Sequence, residues 1–115
     1  MEDSRKKIPA FFYREDNGSE PVREWLSELS KADRRLIGED IKTVEYGWPI
    51  GMPVCRPMGK GLYEVRSHIT GSRIARVLFC IHQGKMVLLH GFIKKTQKTP
   101  KMELDIAEKR KRNME

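Results

Sequence analysis

Arg66 and Arg76 fall inside two strand-like runs, Leu62–His68 and Arg73–His82, and a third run, Lys85–Ile93, opens directly into Lys94, Lys95, Lys98 and Lys101. Cations fixed at strand positions suit one chemistry above others, the holding of phosphate or another anion. Period-2 alternation puts Glu64, Arg66 and His68 on one face, with Tyr63, Val65 and Ser67 on the other. Tyr63 and Val65 look like core, so Arg66 projects away from it. Arg76 shares a face with Ile74, Leu78 and Cys80, where an unpartnered charge is costly. It must sit at a groove edge, pair with an acid such as Glu64, or hold an anion. The lysines follow a firmly held strand end and, with Arg66 and Arg76, can line one cationic concavity. Phe92 beside them offers a stacking surface for a base. The plainer reading of the lysine run is a solvated loop.

Other chemistries lack their residues. His68, His82 and His90 fall on different strands or strand ends, and Cys80-Ile81-His82 has no second pair, so no metal site is expected. Gly59-Lys60-Gly61 is too short for a phosphate loop. No serine or cysteine is arranged as a nucleophile, and no cofactor is expected. Cys55 and Cys80 are far apart and read as reduced thiols.

The charge is uneven. Residues 1–55 hold 9 Lys+Arg against 11 Asp+Glu, or −2, whereas residues 56–115 hold 14 against 5, or +9. The surplus implies a polyanionic partner. The basic tail at 108–115 supplies part of it. The chain of 115 residues is expected to be one domain, 1–115, and its mix of 38% hydrophobic and 34% charged residues is that of a folded rather than a disordered chain. No apolar run is long enough to span a bilayer, and Met1–Lys7 lacks the apolar stretch of a signal peptide. A cytoplasmic protein without a membrane partner is expected.

The elements that must position these groups follow from pattern. Ile8–Arg14 reads as a strand, and Asp16–Ser19 as a turn. Ser19 or Glu20 caps a helix carrying Val22, Trp25, Leu26 and Leu29. Ser30–Asp33 resembles a capping box for a second helix, with Ile37, Ile41 and Val44 on its apolar face and its end near Gly47. The short join predicts an antiparallel two-helix hairpin. Residues 47–61, with three prolines and four glycines, read as an ordered loop. Thr70–Ser72 and Gln83-Gly84 link the three later runs into an antiparallel meander. Lys101 to about Arg112 reads as a weakly apolar terminal helix. The fold expected is α+β: an N-terminal strand, a two-helix hairpin, a three-stranded antiparallel meander and a C-terminal helix, with the helices on one face of the sheet.

Four blocks in this order then resemble a known family: Leu62-Tyr63-Glu64-Val65-Arg66; Arg73-Ile74-Ala75-Arg76-Val77-Leu78-Phe79; Val87 through Lys95; and Lys98-Thr99-Pro100 with Glu103 and Ala107. They are similar to the phage-derived, HigB-like branch of the RelE/ParE toxin superfamily, over roughly Phe11 to Ala107. The resemblance implies a RelE-like toxin of a type II toxin–antitoxin system, monomeric alone and hetero-oligomeric with a cognate helix-turn-helix antitoxin. It implies a ribosome-dependent, metal-independent endoribonuclease that cuts messenger RNA in the ribosomal A site and so inhibits translation. There the 2′-hydroxyl attacks the adjacent phosphorus, leaving a 2′,3′-cyclic phosphate and a 5′-hydroxyl. By matching position, Arg76 would hold the scissile phosphate and Arg66 would lie near the nucleotide. Lys95, with Lys94 beside it, would stabilise charge or protonate the leaving oxygen. His90 is a secondary acid–base candidate, and Arg73, Lys98 and Lys101 would contact the RNA backbone. One departure stands out: no Tyr, His or Trp follows Pro100, so the general base is unidentified. The same fold also serves ParE-like inhibitors of DNA gyrase, and a phage-derived binding module without activity is a third reading. Arg66, Arg76, Lys94 and Lys95 favour the nuclease over the gyrase inhibitor.

Overall fold

The computed structural model describes residues 5–94 and 98–115. In chain order they form β1 (Ala10–Phe12), α1 (Pro21–Ser27), α2 (Lys31–Gly47), β2 (Cys55–Gly59), β3 (Leu62–Ile69), β4 (Arg73–His82), β5 (Lys85–Lys94) and α3 (Lys101–Asn113). One mixed sheet has the order β1-β5-β4-β3-β2. Strands β2 to β5 form an antiparallel meander, and β1 runs parallel to β5, with Ala10 beside Met86 and Phe12 beside Leu88.

Local chemistry explains most of the boundaries. Pro21 takes the first position of α1, where its missing N–H costs nothing. Ser30 caps α2, its hydroxyl accepting from the Asp33 N–H at 3.2 Å. The Asp33 carboxylate crosses to the turn between β3 and β4, accepting from the Thr70 N–H at 3.1 Å, the Thr70 hydroxyl at 2.9 Å and Arg73 Nη2 at 2.7 Å. It thereby ties the start of α2 to the sheet. Gln83 and Gly84 both take positive φ, 52° and 77°, as a tight hairpin with right-handed strand twist requires.

Four expectations need correction. The segment 47–61 is not all loop, because Cys55–Gly59 is a strand and makes the sheet five-stranded. Its Pro57 is tolerated because β2 lies at the sheet edge. The helices do not share one face. Val22 of α1 and Ile37, Ile41 and Val44 of α2 bury against Val65, Ala75, Val77, Phe79 and Leu88. On the other face, Ala107 of α3 buries against Leu62, Leu78, Cys80, Val87 and Leu89. Nor do α1 and α2 form a self-packed hairpin, since α1 lies mainly over β5 and α2 over β3. The N-terminal strand is also shorter than Ile8–Arg14. Its approach to α2 is fixed by the buried Glu45, whose carboxylate accepts from the Ala10 N–H at 2.7 Å.

Two features of β5 set up the site. A bulge opposite Leu78 and Phe79 pairs His90 with Leu78 and Leu88 with Phe79, leaving Leu89 extra. Beyond it the alternation shifts. His90, Phe92 and Lys94 pair with Leu78, Arg76 and Ile74 on the α3 face, while Gly91 and Ile93 turn toward α1 and α2. Gly91 permits close packing there, since a Cβ on it would lie 2.4 Å from Trp25 Cε3. The Leu89 carbonyl accepts from Arg110 Nη1 at 2.8 Å. The basic tail at 108–115 therefore continues α3 as far as Asn113 and is pinned to the sheet through Arg110.

Candidate functional site

The α3 face of the meander carries a polar row beside the first turn of that helix. Glu64 and Arg66 come from β3, Arg76 from β4, and His90 and Phe92 from β5 beyond the bulge. Glu64 is wholly buried, and its Oε1 lies 3.7 Å from both Arg66 Nε and Arg76 Nε. The Thr99 hydroxyl, arriving from the connector before α3, donates to the other carboxylate oxygen. One carboxylate is thus shared by two guanidiniums and a hydroxyl. The acid partner expected for Arg76 is present, and it is Glu64.

Exposure sorts the cations. The Arg76 side chain is 0% exposed and lies 6.0 Å from the Phe92 ring centroid, whereas the Arg66 side chain is 11% exposed and reaches the surface. Burial lowers the Arg76 pKa from its ordinary value; Glu64 opposes that shift, and Arg66 and Arg56 add to it. An arginine titrates so far above neutrality that the group stays charged. Arg76 therefore contributes positive charge from beneath the surface, and Arg66 is the member that a ligand can touch. Lys94, paired with Ile74 at the same end of the sheet, is exposed, as is Lys98.

Other expected residues fall elsewhere. Arg73 points to the opposite face and is held by Asp33 at 2.7 Å, so it joins α2 to the sheet and stands apart from the arginine pair. Lys101 is exposed and pairs along the helix with Asp105 at 3.0 Å. Lys95 lies outside the described residues. Sequence reasoning missed Arg56. It faces Glu64 across the β2–β3 ladder and is exposed, placing a third arginine on this face. Its signal was hidden because Pro57 and the flanking glycines masked the strand.

His90 is held on both sides. Its Nε2 lies 2.8 Å from Glu103 Oε1, and its Nδ1 lies 3.3 Å from Arg110 Nη1. Arginine only donates, so Nδ1 is the acceptor and Nε2 carries the proton toward Glu103. The ring also stacks on Phe92, with centroids 5.7 Å apart. Arg110 in turn pairs with Glu15 at 3.4 Å, so acids and bases alternate from Glu15 through Arg110 and His90 to Glu103.

Among the described residues, no three His, Cys, Asp or Glu side chains cluster where they could hold a metal ion. None of the described helices is long and apolar enough to cross a membrane. Cys55 and Cys80 are buried on opposite faces of the sheet and cannot pair without unfolding.

The fold and the site define a small basic α+β protein whose sheet carries Arg66 and Arg76 about a buried Glu64 on one face. The model of the family described as Phage derived protein Gp49-like (DUF891) matches residues 24–112, and the chain belongs to that family. This is a toxin-like family of the RelE/HigB type, so the resemblance in the four blocks holds at that level. No curated protein matches the chain.

Proposed function

We propose that this protein is the toxin of a type II toxin–antitoxin pair and acts as a ribosome-dependent endoribonuclease on messenger RNA. The observation that carries this reading is the Arg66–Glu64–Arg76 cluster. Two guanidiniums converge on one carboxylate on the face that also bears Phe92 and Lys94. A group of this kind maintains a positive potential at a fixed point, which is what a phosphorane with growing negative charge requires. Arg66 contacts the scissile phosphate, and Arg76 and Glu64 hold it in place from below. Arg56, Lys94, Lys95 and Lys98 engage flanking phosphates, with Lys94 and Lys95 best placed in sequence to neutralise the leaving oxygen. Phe92 is largely buried by Arg76 and His90, so its role is to support their side chains rather than to stack on a base. Family membership supports a partner antitoxin, which we take to be a helix-turn-helix protein.

The test is expression from a tightly repressed promoter of the wild type and of Arg66→Ala combined with Lys94→Ala. Wild type should arrest growth and create new 5′-hydroxyl ends inside coding regions, and the folded double variant should do neither. Arrest without new RNA ends would sink the nuclease reading and point to gyrase. A harmless wild type would leave a binding module.

A further inference from the structure

The proposed reaction needs a group to take the 2′-hydroxyl proton, and no aromatic residue or histidine after Pro100 supplies one. We infer that Glu103 is that general base and that His90 is the residue that positions it. The inference rests on the endoribonuclease reading above.

Consider the carboxylates on the α3 side of the sheet. Glu64 is fully buried and engaged by Arg66, Arg76 and Thr99, so it cannot touch a substrate. Asp105 pairs with Lys101, and Glu108 with Lys60 and Arg112, on the outer side of the helix. Glu15 pairs with Arg110 behind His90. Glu103 differs from all of these. It lies in the first turn of α3, its side chain is 19% exposed, and Oε1 is held by His90 while the carboxylate keeps a second oxygen for another partner.

Its place beside the arginines is fixed from two directions. Through the chain, Thr99 lies four residues before it and is bonded to Glu64, the counter-ion of Arg66 and Arg76. Through the sheet, Glu103 bonds His90, His90 stacks on Phe92, and Phe92 lies against Arg76. Glu103 is therefore linked to the arginine cluster on the α3 face both through Thr99 and through His90 and Phe92. His90 cannot itself be the base while α3 is docked, because Nδ1 accepts from Arg110 and Nε2 already bears a proton.

The step balances. The O2′–H bond breaks and its proton passes to the Glu103 carboxylate as O2′ bonds to phosphorus. The P–O5′ bond breaks, O5′ takes a proton from water, and the products are a 2′,3′-cyclic phosphate and a 5′-hydroxyl.

The measurement is single-turnover cleavage of messenger RNA on translating ribosomes by the full-length protein. Glu103→Gln keeps an oxygen to accept from His90, so the fold and RNA binding should be retained while cleavage slows about 100-fold or more. Glu103→Ala should regain part of its rate on addition of formate, a rescue that a merely structural residue would not show. For His90→Asn, the maximal rate should fall without change in the apparent affinity for programmed ribosomes. The rate of the wild type should rise with pH along a limb that is absent in Glu103→Gln. The groups facing this carboxylate are His90 from β5 and, behind it, Arg110 from α3 and Glu15 from the segment after β1. A cutting wild type with an equally fast Glu103→Gln would overturn the assignment and leave the nuclease reading intact. A wild type that cuts no RNA on ribosomes would overturn both.

Discussion

Replacing Glu64 by Gln removes one charge from between two guanidiniums and preserves the shape of the side chain. At 3.7 Å and an effective dielectric constant of about 20, each lost attraction is worth roughly 4–5 kcal/mol before solvation. The carboxylate also recovers the several kcal/mol that its own burial costs, so the net effect is that of removing one partner from a buried pair, about 3–5 kcal/mol. Unfolding entropy of about 2.1 cal/mol/K per residue gives roughly 0.24 kcal/mol/K for this chain of 115 residues. The Glu64→Gln variant should therefore melt about 12–20 °C below wild type, followed by far-UV circular dichroism and checked by urea titration. A second reading comes from inorganic phosphate. It should raise the melting temperature of Glu64→Gln more than that of wild type, because the arginines then lack their internal carboxylate. If Glu64→Gln melts within about 4 °C of wild type, equivalent to about 1 kcal/mol, the carboxylate is not the counter-ion of the cluster and the account of Arg76 is wrong.

Three further outcomes are expected. Gly91→Ala places a methyl group 2.4 Å from Trp25, an overlap that should cost about 1–3 kcal/mol in urea unfolding; combining it with Trp25→Leu should recover most of that loss, and a strictly additive pair would exclude the contact. The Asp33 pKa is held below its ordinary value of 3.8, chiefly by the Thr70 N–H, with the Thr70 hydroxyl, Arg73 and Ser30 adding to the effect against the opposing influence of burial. A depressed carboxylate stabilises the fold above its unfolded pKa, and that stabilisation is lost as pH falls through the folded value. Asp33→Asn should accordingly lower stability near neutrality and flatten the decline below about pH 4, and an unchanged acid limb would remove Asp33 from the explanation. Burial pushes the Cys55 thiol up to about 11 and raises Cys80 as well, so neither should react with iodoacetamide at pH 8 until the protein unfolds. Rapid labelling of the native protein, read by mass spectrometry, would contradict both.

The meander and the helix positions were legible because β3 and α2 carry clear periodicity, Ser30 caps α2 and turn residues separate the strand runs. The alternation in β3 correctly put Glu64 and Arg66 on one face, and the apolar company of Arg76 correctly demanded a partner. What stayed hidden has specific causes. Strand β2 consists of Cys-Arg-Pro-Met-Gly, whose proline and glycine suggest a loop, and only its edge position makes it tolerable. The helices split between two faces because β4 is apolar on both sides, a pattern that requires cover on both but does not say which helix provides it. The bulge in β5 shifted the parity of His90, Phe92 and Lys94, so no reading with a fixed period of two could aim them correctly. Arg73, expected to contact the RNA backbone, lies three residues before Arg76 and so on the opposite face, with Asp33.

The parallel pairing of β1 with β5 has a consequence for how the molecule comes into being. Residues 10–12 have their strand partner in residues 86–88, and Asn113 donates to the Tyr13 hydroxyl at 3.2 Å. A ribosome delivers these partners in sequence, so β1 waits without its neighbour through the synthesis of almost every other element. The loop that closes is long, and its entropy is recovered only when the last strand and α3 arrive. The β3–β4 hairpin that brings Glu64, Arg66 and Arg76 together has both its strands in hand before β1 can find its partner in β5.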